Sequence, residues 1–217
     1  MGKILPIFLI AFSLLSCENR EASKYYEAAK IKVDSLNPGD GTGNTSLRTA
    51  KLNEALQDLD KAVASDPDYV KAYLKRAYVK RALGDNQGGL ADAEKVVELD
   101  PKNAEGYSFT AETKSMLNDY AGAIKAWSKT IEIYPKKGFL YGYRAGQEAS
   151  SGDKTGALKD YDQALALAGN DLEKKHFYYD RGVLKLSMND KTGCADLAKS
   201  AGLGYELATK ALADSCK

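Results

Sequence analysis

Residues 67–101 read PDYVKAYLKRAYVKRALGDNQGGLADAEKVVELDP, a segment that opens and closes on proline. Pro135 stands 34 residues beyond Pro101, the same distance that separates Pro101 from Pro67. Six residues after each proline comes a tyrosine: Tyr73, Tyr107 and Tyr141. With 14 tyrosines among 217 residues, three such coincidences have a chance of about three in ten thousand. The 34-residue period is therefore real, and it is the length of one pair of helices.

The frame extends to residues not used to find it. With the closing proline at position 32, the large aromatic position 4 holds Tyr73, Tyr107 and Tyr141, and position 8 holds Ala77, Ala111 and Ala145. Position 20 holds Gly89, Ala123 and Ala157, and position 24 holds the bulky Trp127 and Tyr161. Small residues let two helices approach closely, and large ones fill the space beside the contact. Downstream, Gly169 takes the proline position, and three extra residues precede the restart at Tyr178-Tyr179-Asp180-Arg181-Gly182. Upstream, Ala55, Leu59 and Ala62 fit a second helix ending at Pro67, while Tyr25, Ala28 and Ala29 fit a first helix. Between those two lies a Gly-rich insertion, NPGDGTGNTSLRTA, at residues 37–50.

These positions resemble the tetratricopeptide repeat (TPR), and the resemblance covers roughly residues 22–201. It implies an all-α, right-handed α-solenoid of five helix pairs. Their expected bounds are 22–67, 70–101, 104–135, 138–169 and 175–201, and a helix over 205–216 covers the end, since a terminal repeat cannot bury its own apolar face. Position 7 carries Arg76, Arg144 and Arg181, and position 23 carries Asp92 and Asp160, which favours an internal ion pair between a repeat's two helices over ligand contact by these arginines. The pattern is a tendency: repeat three has Thr110 and Ala126, repeat one has Asp58 without an arginine, and Asp196 falls one place off frame.

The two ends speak of location. Residues 1–16, MGKILPIFLIAFSLLS, carry one charge at Lys3 and an apolar stretch over 4–15, too short to span a bilayer and suited to a signal peptide. Leu14-Leu15-Ser16-Cys17 resembles the bacterial lipobox, which implies lipidation of Cys17, a short tether at 17–21, and a TPR domain over 22–217. Such a chain is expected in the cell envelope, and Glu18 rather than Asp after the cysteine favours the periplasmic face of the outer membrane in a Gram-negative cell. With Cys17 lipidated, Cys194 and Cys216 remain as an even pair in a compartment that permits disulfides. Two readings stand, a bridge or two semi-buried thiols, and a free-thiol count on the oxidised, unfolded chain separates them.

Charge and composition narrow the function. Thirty-one basic against 30 acidic residues remove the usual motive for nucleic-acid or anionic-membrane binding, so lipid would be the only membrane attachment. His176 is the sole histidine, which excludes a multi-histidine metal centre, and no Walker, dinucleotide or nucleophile-elbow motif occurs. No cofactor, metal or catalytic residue is expected, and the chain reads as a non-enzyme. The loop Asp40-Gly41-Thr42-Gly43-Asn44 lacks the later ligands of a calcium loop, leaving a plain connection or a partner contact.

In the TPR family the first helices line a concave groove. The corresponding residues here include Lys71, Lys75, Tyr78 and Arg81 in repeat two, Phe109 and Glu112 in repeat three, Phe139 and Tyr143 in repeat four, and Tyr179 in repeat five. Lys71, Lys75 and Arg81 share one helical face, either a receptor for acidic groups or a solvated charged surface. The asparagines of the family's carboxylate clamp are missing at Leu74, Tyr78 and Glu112. The expected function is a lipid-anchored adaptor or scaffold that binds a protein or peptide in the groove. The alternatives are a self-associating structural subunit and, further off, a glycan or small-ligand binder or enzyme accessory protein.

Overall fold

The computed structural model describes residues 7–36 and 45–216, with side chains from Arg20 onward. Every regular element among them is an α-helix. The chain divides into two compact units, residues 1–106 and 107–217.

The first unit contains α1 (Ile7–Asp34), α2 (Thr45–Ser65), α3 (Val70–Ala82) and α4 (Asn86–Leu99). Its core joins Ala29 of α1, Leu52, Ala55, Leu59, Ala62 and Val63 of α2, and Ala72 and Val79 of α3. Tyr25, Tyr26, Tyr69 and Tyr73 pack around these small and aliphatic side chains. The insertion is shorter than the sequence suggests, because α2 already begins at Thr45. Residues 45–50 are exposed, but Leu47, Arg48, Ala50 and Lys51 are good helix formers that extend the buried part of α2 by more than a turn. The remainder of that loop, residues 37–44, and the first residues of the chain, 1–6, lie outside the described residues, as does the side chain of Cys17.

The boundary between the units falls within the first turn of α5 (Ala104–Met116). The second unit continues through α6 (Tyr120–Ile133), α7 (Gly138–Ser151), α8 (Lys154–Leu167), α9 (Asp171–Ser187), α10 (Gly193–Gly202) and α11 (Glu206–Ser215). Ala111, Ala126, Trp127, Ile131 and Leu140 form one core cluster, and Ala145, Ala157, Tyr161 and Leu184 form the next. The three extra residues before repeat five are helical: α9 starts at Asp171, where Asn170 accepts the backbone N–H of Glu173 at 2.9 Å. In the same repeat α9 and α10 meet backbone to backbone. A Cβ on Gly193 would stand 2.5 Å from the carbonyl oxygen of Gly182.

One turn recurs between the two helices of a repeat. A left-handed residue ends the first helix, such as Gly152 at φ +95 or Asn118 at φ +61, and an aspartate caps the second. Asp85, Asp119 and Asp153 accept the backbone N–H groups of Gly88, Gly122 and Gly156 at 2.8, 2.9 and 2.9 Å. Each such cap contributes about 1 kcal/mol to its helix. The helix α11 buries fully only Ala208, and a disulfide between Cys194 and Cys216, with Cα atoms 5.8 Å apart, ties its far end to α10.

Candidate interaction surfaces and the ion-pair ladder

The position-7 arginines are structural. In the first unit Arg76 donates from Nε and Nη2 to both oxygens of Asp92 at 2.8 and 2.6 Å, and from Nη1 to Asp60 at 2.8 Å. In the second, Arg144 forms the same fork with Asp160 at 2.6 and 2.9 Å while Nη1 donates to Ser128 Oγ at 3.0 Å. Arg181 grips Asp196 at 2.8 and 2.7 Å and reaches Asp162 with Nη1. Planar guanidinium matches carboxylate geometry in two parallel bonds, which a lysine could not do. Burial alone would raise Asp196, but the hydrogen bonds from Arg181 and Lys185 outweigh it and hold that carboxyl below its ordinary range.

The pairs Arg76–Asp92 and Arg144–Asp160 follow from the frame, and Arg181 pairs with Asp196 although that residue lies one place off it. The third anchor does not follow from the frame. Asp60, Ser128 and Asp162 all occupy position 25 of the preceding repeat, so each arginine fastens three helices. A second cation also escapes inspection of pairs alone: Lys32, Lys80 and Lys185, all at position 11, donate to Asp58, Asp92 and Asp196 at 2.7, 2.8 and 2.8 Å. Aligning position 11 down the repeats would have revealed it.

In the first unit Lys71 is exposed on α3, and Lys75, Tyr78 and Arg81 are half-buried. Arg81 lies 5.3 Å over the ring of Tyr78, so part of the expected basic face is already engaged with an aromatic.

In the second unit two large exposed aromatics stand on α7, and a third, Tyr134, ends α6. Phe139 and Tyr143 are 39% and 53% exposed and sit 5.9 Å apart, edge to face, and Tyr143 lies 5.1 Å from the buried ring of Trp127. Glu112 and Met116 of α5 are exposed, and Ser115 of that helix donates to Gln147 of α7 at 2.7 Å. Phe109 departs from its expected place. It is 1% exposed, so it belongs to the core and offers no surface to a partner. A ring of that size stabilises the fold by about 2 kcal/mol or more when removed from water, which is the physical reason it is buried in place of facing a groove. Tyr179 is half-buried because Tyr205, at the start of α11, stands 5.0 Å from its ring and 4.8 Å from that of His176. Among the described residues no group of three or more His, Cys, Asp or Glu is arranged to hold a metal ion.

No family model matches the chain, and no curated protein matches it. Solved structures do. YrrB, described as a TPR protein with an unusual peptide-binding site, superposes with a TM-score of 0.72 at 18% identity over 95% of this chain and 97% of that one. The segment of MamA from residue 41 onward from Desulfovibrio magneticus RS-1 gives 0.70 at 16% identity over 85% and 95%. TTC0263, a thermophilic TPR protein of Thermus thermophilus, gives 0.55 at 18% identity over 89% and 98%. The 34-residue frame, the paired helices and these likenesses converge, and the fold of this chain is that of the TPR α-solenoid.

Proposed function

We propose that this chain is a lipid-anchored scaffold of the bacterial cell envelope that binds a protein or peptide partner and performs no catalysis. The observation that carries the reading is the pair Phe139 and Tyr143, two large aromatics held in water on one face of α7 and backed by Trp127. Exposed aromatics are costly to leave unused and are the residue types that anchor interfaces. The likeness to YrrB supports a peptide or protein as the occupant. The basic face of α3, with Lys71 and Lys75, would add preference for an acidic segment.

The anchor rests on the leader and on Cys17. Cleavage before Cys17 would remove the apolar start of α1 and leave its repeat portion, and several acyl chains would hold the protein stably where one would not. Among the described residues no helix is long and apolar enough to cross a membrane.

The test is affinity capture of the full-length protein from solubilised membranes, in parallel with a Phe139→Ser/Tyr143→Ser form and a Cys17→Ala form. A partner retained by the native protein, lost with the aromatic variant and diminished with Cys17→Ala supports the reading. A partner retained equally by the aromatic variant places recognition elsewhere. Recovery of the chain alone, with sedimentation that depends on concentration, would instead favour a self-associating subunit.

A further inference from the structure

Position 11 breaks its own pattern once. It is Lys32, Lys80, Lys114 and Lys185 in four repeats and Glu148 in the fourth of the five. In repeats one and two the lysine ammonium donates to the position-23 aspartate, and in repeat five to Asp196 one place before it. Repeat four keeps that aspartate, Asp160, buried at 8% exposure, and sets the carboxyl of Glu148 close enough for the two acids to act on each other in place of the cation. We propose that Glu148 and Asp160 form a proton-operated joint between α7 and α8, tight when the pair shares one proton and loosened when both carboxyls are ionised.

The geometry supports this. One oxygen of Glu148, Oε1, lies 3.8 Å from Nε of Arg144, and the other, Oε2, is buried without a hydrogen-bond partner. Arg144 cannot serve both acids fully, because its fork is committed to Asp160 and its remaining Nη1 to Ser128 of α6. Asp153, which caps α8, raises Glu148 further, Tyr161 of α8 feels the charge of Glu148, and Asp180 of α9 acts on Tyr161. A protonated Glu148 has a donor to offer Asp160, whereas an ionised one adds a second negative charge to a site with one cation.

Burial is the largest influence on Glu148, the charge of Asp160 the next, and Arg144 opposes both; together they raise its carboxyl from 4.5 to about 7. The folded chain therefore holds this proton roughly two orders of magnitude more tightly than the unfolded chain. The sign follows. Between about 4.5 and about 7 the native state binds a proton that the unfolded state has released, so stability falls as pH rises through that window and levels off above it. The exposed Phe139 and Tyr143 stand on the same helix, so the joint sets how firmly α7 is held whatever those rings bind.

The experiment uses the full-length chain in detergent with Trp127, the only tryptophan, as reporter. Thermal unfolding is followed between pH 4 and 8.5 for the native protein, Glu148→Gln and Glu148→Lys, and the Glu148 carboxyl is titrated by carbon NMR. The expected result is a native midpoint that falls with rising pH, a difference from Glu148→Gln that disappears at low pH, and a Glu148→Lys form that is the most stable at pH 8.5. The carboxyl titrates near 7. Parallel pH profiles for the native and Gln forms, or a carboxyl that titrates near 4.5, would overturn the proposal even if the Lys form failed to fold.

Discussion

Replacing Arg144 by alanine removes three hydrogen bonds at once: two to Asp160 and one to Ser128. Asp160 is 8% exposed, and its neighbour Glu148 already has one buried oxygen without a partner. Deleting the only cation paired with a buried carboxylate typically costs about 3–5 kcal/mol, and the lower end applies here because the guanidinium is itself partly in water. The cost also depends on pH. At pH 5.5 Glu148 can carry a proton and neutralise the stranded pair, whereas at pH 8.5 both acids are charged, so Arg144→Ala loses more stability in alkali. Urea denaturation monitored by Trp127, which lies in the adjoining core, reads the effect directly. Adding Asp160→Ala should restore much of the loss, since two absent partners cost less than one orphan. A change below about 1 kcal/mol for Arg144→Ala, against a usual penalty of about 3 kcal/mol, would refute the view that this side chain fastens α6, α7 and α8.

Three further outcomes are expected. Replacing Cys194 and Cys216 by serine opens a loop with a sequence separation of 22 and should cost up to about 3 kcal/mol, with hydrogen exchange accelerating first in α11. Gly193→Ala places a Cβ 2.5 Å from the Gly182 carbonyl oxygen, so the α9–α10 pair should lose about 1–3 kcal/mol, and wild-type stability in denaturant melts would contradict the close approach. Phe109→Ala should lower stability by about 3–5 kcal/mol, and a soluble, fully stable variant would return Phe109 to the surface.

The legible part of the fold is the part that repeats. Ala77, Ala111, Ala145, Ala123 and Ala157 are all completely buried, as small residues at two fixed positions predict, because helix crossing points recur with the period. The arginine fork to position 23 is equally readable, since both partners belong to one repeat. Position 25 is not, because its partner comes from the preceding repeat and a frame read one unit at a time hides it. Phe109 defeats the frame for a related reason. Family positions describe the average direction of a side chain, whereas burial of one ring depends on the neighbours that close over it. At residues 45–50 the polar, Gly-led segment suggests a loop, but local helix propensity wins.

The arginine that reaches inward to position 23 and backward to position 25 has a consequence for how such a chain can lengthen. A 34-residue segment copied in tandem brings with it both the hand that grasps its predecessor and the aspartate that receives its own arginine, so the duplicate arrives already fitted to its neighbour. Repeat five shows the tolerance of the scheme. Arg181 still finds Asp162 although the separation is 19 rather than 16, because the three added residues were taken up as an extra helical turn at the start of α9. Length can thus be gained at the entrance of a unit while its fastening to the previous one is preserved.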